Sequence, residues 1–194
     1  MTATYLGLPR DVWQAVSLLT SFPVVTLLTV GLLASTYSSD PFLDAALYAG
    51  YFILLPGLVA AYFWKKGWIS DIEVHDRQER NSVFLAALAF SMLGTGMLQQ
   101  FGAPTPLIKV ALVQLLVLSV LYPVNLVWKI SVHTSSWGAM MTVLYLLYGA
   151  PALLLIPFAV PMTLSRFALE AHTRSQVAAG FSLGVGAAAL IFLV

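Results

Sequence analysis

The chain contains three histidines, each inside a polar cluster, and two of those clusters bracket a stretch without charge. Residues Lys129 to Thr134 read K-I-S-V-H-T, and Ser165 to Gln176 read S-R-F-A-L-E-A-H-T-R-S-Q. From Trp137 to Met162 no residue is charged, so the two clusters flank what the pattern predicts to be a compact helical hairpin sunk into a membrane. A third cluster, S-D-I-E-V-H-D-R-Q-E-R, runs from Ser70 to Arg80 upstream. Most of the charge of the protein lies in or beside these three places. Imidazoles exchange protons near neutral pH, and with cationic side chains beside them the clusters read as the one polar site of a membrane enzyme. The site is expected to be built from residues 65–82, 129–134 and 165–176.

The elements that must position these clusters follow from composition and hydropathy. The 194 residues are 60% hydrophobic and only 9% charged, against roughly 25% charged in a soluble domain. The expectation is an all-α, polytopic transmembrane helical bundle forming a single transmembrane domain over 1–194, with six to seven spans. There is no cysteine, so disulfides, thiolate nucleophiles and thiolate-bound metals are excluded. A net charge of +1 gives no argument for a nucleic-acid partner. The first apolar run is too long for a signal-peptide core of about 7–15 residues and is read as a retained span. Apolar runs predict spans near 12–35, 42–64, 83–101, 107–128, 135–148, from there to 164, and 177–194. Pro23 is expected to bend the first, and the fifth and sixth are short as drawn. Either these two borrow residues from the flanking clusters, or the hairpin does not cross fully. Asp40-Pro41 and Gly102 to Pro106 supply turns.

Seven spans put the loops at 65–82, 129–134 and 165–176 on the face that carries the N-terminus. Three polar clusters converging on one face can make a site. That face also holds every basic residue except Lys109, and the positive-inside rule then places it in the cytoplasm. Lys65 and Lys66 are the cleanest indicators, because other basic residues there could be present for chemistry.

Ser165-Arg166 followed after five residues by His172, together with Ser131-x-His133, resembles the type 2 phosphatidic acid phosphatase family. That family carries K-x6-R-P, P-S-G-H and S-R-x5-H-x3-D motifs. Here S-R-x5-H is intact, and Gln176 stands at the final Asp position. In the middle motif Ser131 and His133 remain, while Ile130 and Val132 replace Pro and Gly. In the first, the best frame puts Glu73 at the Lys, Arg80 at the Arg and Asn81 at the Pro, with Arg77 and Lys129 as nearby cations. The resemblance covers mainly residues 129–180, and the helical hairpin between the two histidine motifs also fits it.

The resemblance implies metal-independent phosphoryl transfer through a phosphohistidine, without a cofactor. His172 would be the nucleophile, and His133 would protonate the leaving oxygen and later activate water. Arg166, Arg80 and one or both of Lys129 and Arg77 would hold the phosphate oxygens, with Ser131 and Ser165 among the substrate-binding residues. Fixed positive charge suits a transition state that spreads negative charge over equatorial oxygens, and the arginine fork binds phosphate in a bidentate way. Gln176 can accept a hydrogen bond but cannot stabilise a cation by charge. Either the nucleophile is less basic here, or Glu170 or Asp76 takes the supporting part. The expected substrate is a polyprenyl phosphate or diphosphate, with phosphatidic acid or phosphatidylglycerol phosphate next. Membrane lipids and a second copy of the chain are the other partners considered.

Two other functions remain open. A lipid-phosphate binder or transporter on the phosphatase scaffold would explain the lost Asp, Pro and Gly. The carboxylates Asp71, Glu73, Asp76 and Glu79 are similar to one Asp-rich motif of the intramembrane aromatic prenyltransferases, which hold Mg2+ on a diphosphate; no second such motif is present. Lys65, Lys66 and Glu79 otherwise read as solvated surface, and His75 as structural. Trp64, Trp68 and Trp128 read as an interfacial belt, and Gly180-x-x-x-Gly184 as a helix-packing signal.

Overall fold

The computed structural model describes residues 4–71, 74 and 76–194. A two-stranded antiparallel hairpin, β1 (Thr4–Tyr5) and β2 (Leu8–Pro9), leads into helices α1 (Arg10–Leu19), α2 (Phe22–Tyr37) and α3 (Pro41–Ala49). A π-helical turn, Gly50–Leu54, joins α3 to α4 (Leu55–Lys65). Then come α5 (Arg80–Gln100), α6 (Thr105–Val127), α7 (Val132–Tyr148), a 3-10 segment Ala150–Leu155, α8 (Ile156–Ala168) and α9 (Arg174–Leu193).

Among the described residues, six helical segments are long and apolar enough to cross a membrane: Arg10–Tyr37, Pro41–Lys65, Arg80–Gln100, Thr105–Val127, Ala150–Ala168 and Arg174–Leu193. The chain is an all-α integral membrane protein. The remaining helix, α7, has 17 residues, about 26 Å at the usual helical rise, against a hydrocarbon layer of about 30 Å. Both helices of the hairpin extend into the clusters. Helix α7 begins at Val132 and takes in His133, while α8 runs on to Ala168 and takes in Ser165 and Arg166.

Proline shapes two of the spans. Pro23 has no N–H and its ring would collide with a carbonyl four residues earlier, so it fits without cost in the first turn of a helix and strains or breaks the interior. The first span accordingly breaks at Thr20-Ser21, and Pro23 sits in the opening turn of α2. Pro56 has the same effect in the second span. The turn before it widens until the Leu55 N–H reaches the carbonyl of Gly50, five residues back.

Contacts divide the chain into two compact units, Met1–Thr26 with Ile130–Val194, and Leu27–Lys129. In the first, Val25, Trp137, Met140, Leu144, Ala152 and Met162 form a buried apolar cluster. The Trp137 indole N–H donates to the carbonyl of Thr20 (2.9 Å) at the helix break. Helices α7 and α9 approach backbone to backbone. A Cβ on Gly180 would stand 2.5 Å from the Ser131 carbonyl oxygen, and one on Gly184 would stand 2.7 Å from the Ala139 nitrogen. The Gly180-x-x-x-Gly184 signal is therefore a packing motif within this chain. In the second unit the Tyr48 and Phe52 rings stack at 4.2 Å, and Gly94 of α5 leaves room for Phe52 and Tyr51. The Tyr48 hydroxyl donates to Gln114 Oε1 (2.9 Å), which gives the buried phenol a partner inside the apolar layer.

Candidate functional site

In the first unit the site residues gather where α7 begins, α8 ends and α9 begins. Ser131 is the N-cap of α7; its hydroxyl accepts from the Thr134 N–H (3.4 Å), and its carbonyl accepts from the Ser135 hydroxyl (2.8 Å). Its own N–H donates to the carbonyl of Gln176 (3.4 Å) in the first turn of α9. His133, half-buried, is the second residue of α7. The Ser-x-His pair and the stretch after His172 thus meet at one pair of helix N-termini, drawn together by the glycines farther along the same helices.

At the end of α8, Ser165 and Arg166 are both buried, the arginine only 3% exposed. A buried charge must be hydrogen-bonded. Arg166 Nε donates to the Ser165 hydroxyl (3.3 Å), and Nη2 donates to the Ser17 hydroxyl on α1. Ser165 passes its own proton to the Met162 carbonyl (2.6 Å).

The five residues between Arg166 and His172 form a helix-ending turn. Glu170 takes a left-handed conformation (φ 55°), its N–H donates to the Phe167 carbonyl (3.0 Å), and the Ala171 N–H donates to that of Arg166 (3.0 Å). This is the Schellman pattern. The His172 N–H reaches the same Arg166 carbonyl (3.4 Å). One carbonyl therefore suspends His172 from Arg166, and the imidazole's Nδ1 is enclosed by protein.

Helix α9 then opens with a capping box. The Thr173 hydroxyl accepts from the Gln176 N–H (3.4 Å), and Gln176 Oε1 accepts from the Thr173 N–H (3.0 Å). The side-chain oxygen of Gln176 thus caps a helix next to His172. T-x-x-Q is a legible capping signature, which the comparison with an Asp position had obscured.

The other candidates belong to the second unit. Arg77 donates to the Asn125 carbonyl (2.7 Å) and to that of Leu126, satisfying the open C-terminus of α6. Asn125, fully buried, returns Nδ2 bonds to the Arg77 carbonyl (2.8 Å) and to Asn81 Oδ1 (2.9 Å). Arg80 Nε donates to the Val74 carbonyl (2.5 Å). Asp76 accepts from the Gln78 N–H (2.7 Å), and Glu79 accepts from the Ser70 N–H (2.8 Å) and hydroxyl (2.9 Å). Glu79 thus ties the loop to Ser70 at an exposed position. Lys129 is half-buried beyond the end of α6. Glu73 and His75 lie outside the described residues. Among the described residues, no three His, Asp or Glu side chains gather in a way that could hold a metal ion.

Sequence reasoning passed over Ser17 and Asn125. Asn125 left a signal, since a polar amide near the end of an apolar span is costly in lipid and usually has a partner. Ser17 left none, because single hydroxyls are common in apolar helices.

No family model, curated protein or solved structure matches the chain.

Proposed function

We propose that the protein is a membrane-embedded lipid phosphatase, similar to the type 2 phosphatidic acid phosphatases, that hydrolyses a polyprenyl or phosphatidyl phosphate or diphosphate. The observation that carries this reading is the turn from Arg166 to His172. A buried guanidinium and an enclosed imidazole hang from one carbonyl, and the Ser131–His133 turn is bonded to the helix that follows them.

The His172 imidazole attacks phosphorus and the bond to the lipid oxygen breaks, giving a phosphohistidine. His133 gives that oxygen its proton. Water, deprotonated by His133, then attacks the phosphohistidine, releasing inorganic phosphate and restoring His172. Arg166 balances the charge that develops on the phosphoryl oxygens, with Ser131 and Ser165 nearby. The positive-inside rule, applied to Lys65 and Lys66, supports a cytoplasmic orientation for the end of α4 that carries them.

A lipid-phosphate binder is the second reading, and one observation favours it: Gln176 caps a helix where an orienting carboxylate would help the nucleophile. Phosphate release from a short-chain polyprenyl diphosphate and from phosphatidic acid, in detergent with EDTA, separates the two. The wild type should release phosphate, and His172→Ala should lose roughly a thousandfold or more, as for other nucleophile deletions. Equal rates in the two proteins, or activity abolished by EDTA, would sink the histidine mechanism. Lipid binding without release would leave the binder.

A further inference from the structure

Ser17 stands outside every motif discussed above, yet it is 4% exposed on α1 and its oxygen holds the Arg166 guanidinium. A serine hydroxyl has one proton to donate. Ser165, the other hydroxyl on Arg166, donates its proton to the Met162 carbonyl. Neighbouring helical hydroxyls do likewise: Thr20 donates to Val16 (2.6 Å), Ser135 to Ser131 (2.8 Å) and Ser136 to Val132 (2.9 Å). Ser17 does not; among the described residues the only hydrogen bond of its hydroxyl is the one it accepts from Arg166. A donor left over in a buried place is costly unless something arrives to accept from it. A hydroxyl already accepting from a cation is also polarised to donate more strongly to an anion.

We propose that Ser17 is a further phosphate-binding residue, donating its proton to a phosphate oxygen while Arg166 holds its own oxygen. This rests on the phosphatase reading for the identity of the site. The ligand chemistry is a phosphate monoester dianion or inorganic phosphate, carried by a lipid head group or free. Ser165 cannot act in this way without giving up its bond to Met162. The two serines therefore divide the work, Ser165 fixing the guanidinium and Ser17 completing the cradle.

Titration calorimetry in detergent with inorganic phosphate and with a short-chain polyprenyl monophosphate tests this. The proteins are the wild type, Ser17→Ala and Ser17→Thr, with turnover and melting temperature measured on the same samples. Ser17→Ala should weaken binding roughly ten- to hundredfold, the size expected for a hydrogen bond to a charged group, and Ser17→Thr should restore most of it. Loss with the lipid alone assigns the site to the head group; loss with both ligands shows that the free ion suffices. Unchanged affinity in Ser17→Ala, with or without a lower melting temperature, overturns the proposal, as does a wild type that binds neither ligand. Ser17-dependent binding without turnover keeps the inference and removes the enzymatic reading.

Discussion

Glu170 shows what a single residue does for the site. Among the described residues, three helices end in the same turn. At the ends of α4 and α5 the left-handed position is Gly67 (φ 71°) and Gly102 (φ 74°), whereas at the end of α8 it is Glu170. A side chain in that conformation costs about 1–2 kcal/mol, and the strain falls in the turn that sets His172 against Arg166. Glu170→Gly should therefore raise stability by about 1 kcal/mol, measured as unfolding of the detergent-solubilised protein. No gain would mean that the glutamate side chain makes a compensating contact. Gln176, expected to support His172, is at this scale a capping residue, and Arg77 is in part a cap for α6. A cap and a substrate contact call for the same residue types, so the sequence could not separate the two roles.

At the scale of elements, the close approach of α7 and α9 sets the distance between the Ser131–His133 turn and the start of α9. Gly184→Ala would place a methyl against the Ser135 carbonyl and the Ala139 nitrogen. Overpacking of this kind costs about 1–3 kcal/mol, and it should lower both the melting temperature and any phosphate release. Gly186→Ala, two residues along the same helix, meets nothing within 4 Å and should change stability by less than about 0.5 kcal/mol. If both variants behaved alike, packing between α7 and α9 would not position the site. The sequence carried this contact only as a four-residue glycine spacing. Whether such a spacing faces another helix of the same chain, a second copy or lipid depends on the partner surface, here the small side of α7 around Ser135, Gly138 and Ala139.

At the scale of the whole molecule, the absence of cysteine in the sequence makes orientation directly measurable. If the Lys65–Lys66 end of α4 faces the cytoplasm, a single cysteine at position 66 should react with a membrane-impermeant maleimide only from the cytoplasmic side, and one at position 39 only from the opposite side. The reverse pattern would put that end of α4 outside the cell or in a lumen. The expected single domain is drawn more finely by the contacts, which separate Leu27–Lys129 from the residues on either side of it. A boundary inside an apolar helix leaves no break in composition, so hydropathy could not reveal it.

The sequence by itself determined that this is a polytopic helical membrane protein, where most of its apolar helices fall, and which residues carry its charge. Each of these follows from transfer free energy and local backbone preference, which act over a few neighbouring residues. The tertiary structure alone decided which polar groups share a place. It tied Ser17 of the first helix to Arg166, 149 positions later, joined Ser131 to Gln176, and set Arg77 on the end of α6. In an apolar medium every buried polar group must find its partner within the protein. Which partner it finds depends on helices that meet in space, and no local pattern records that meeting.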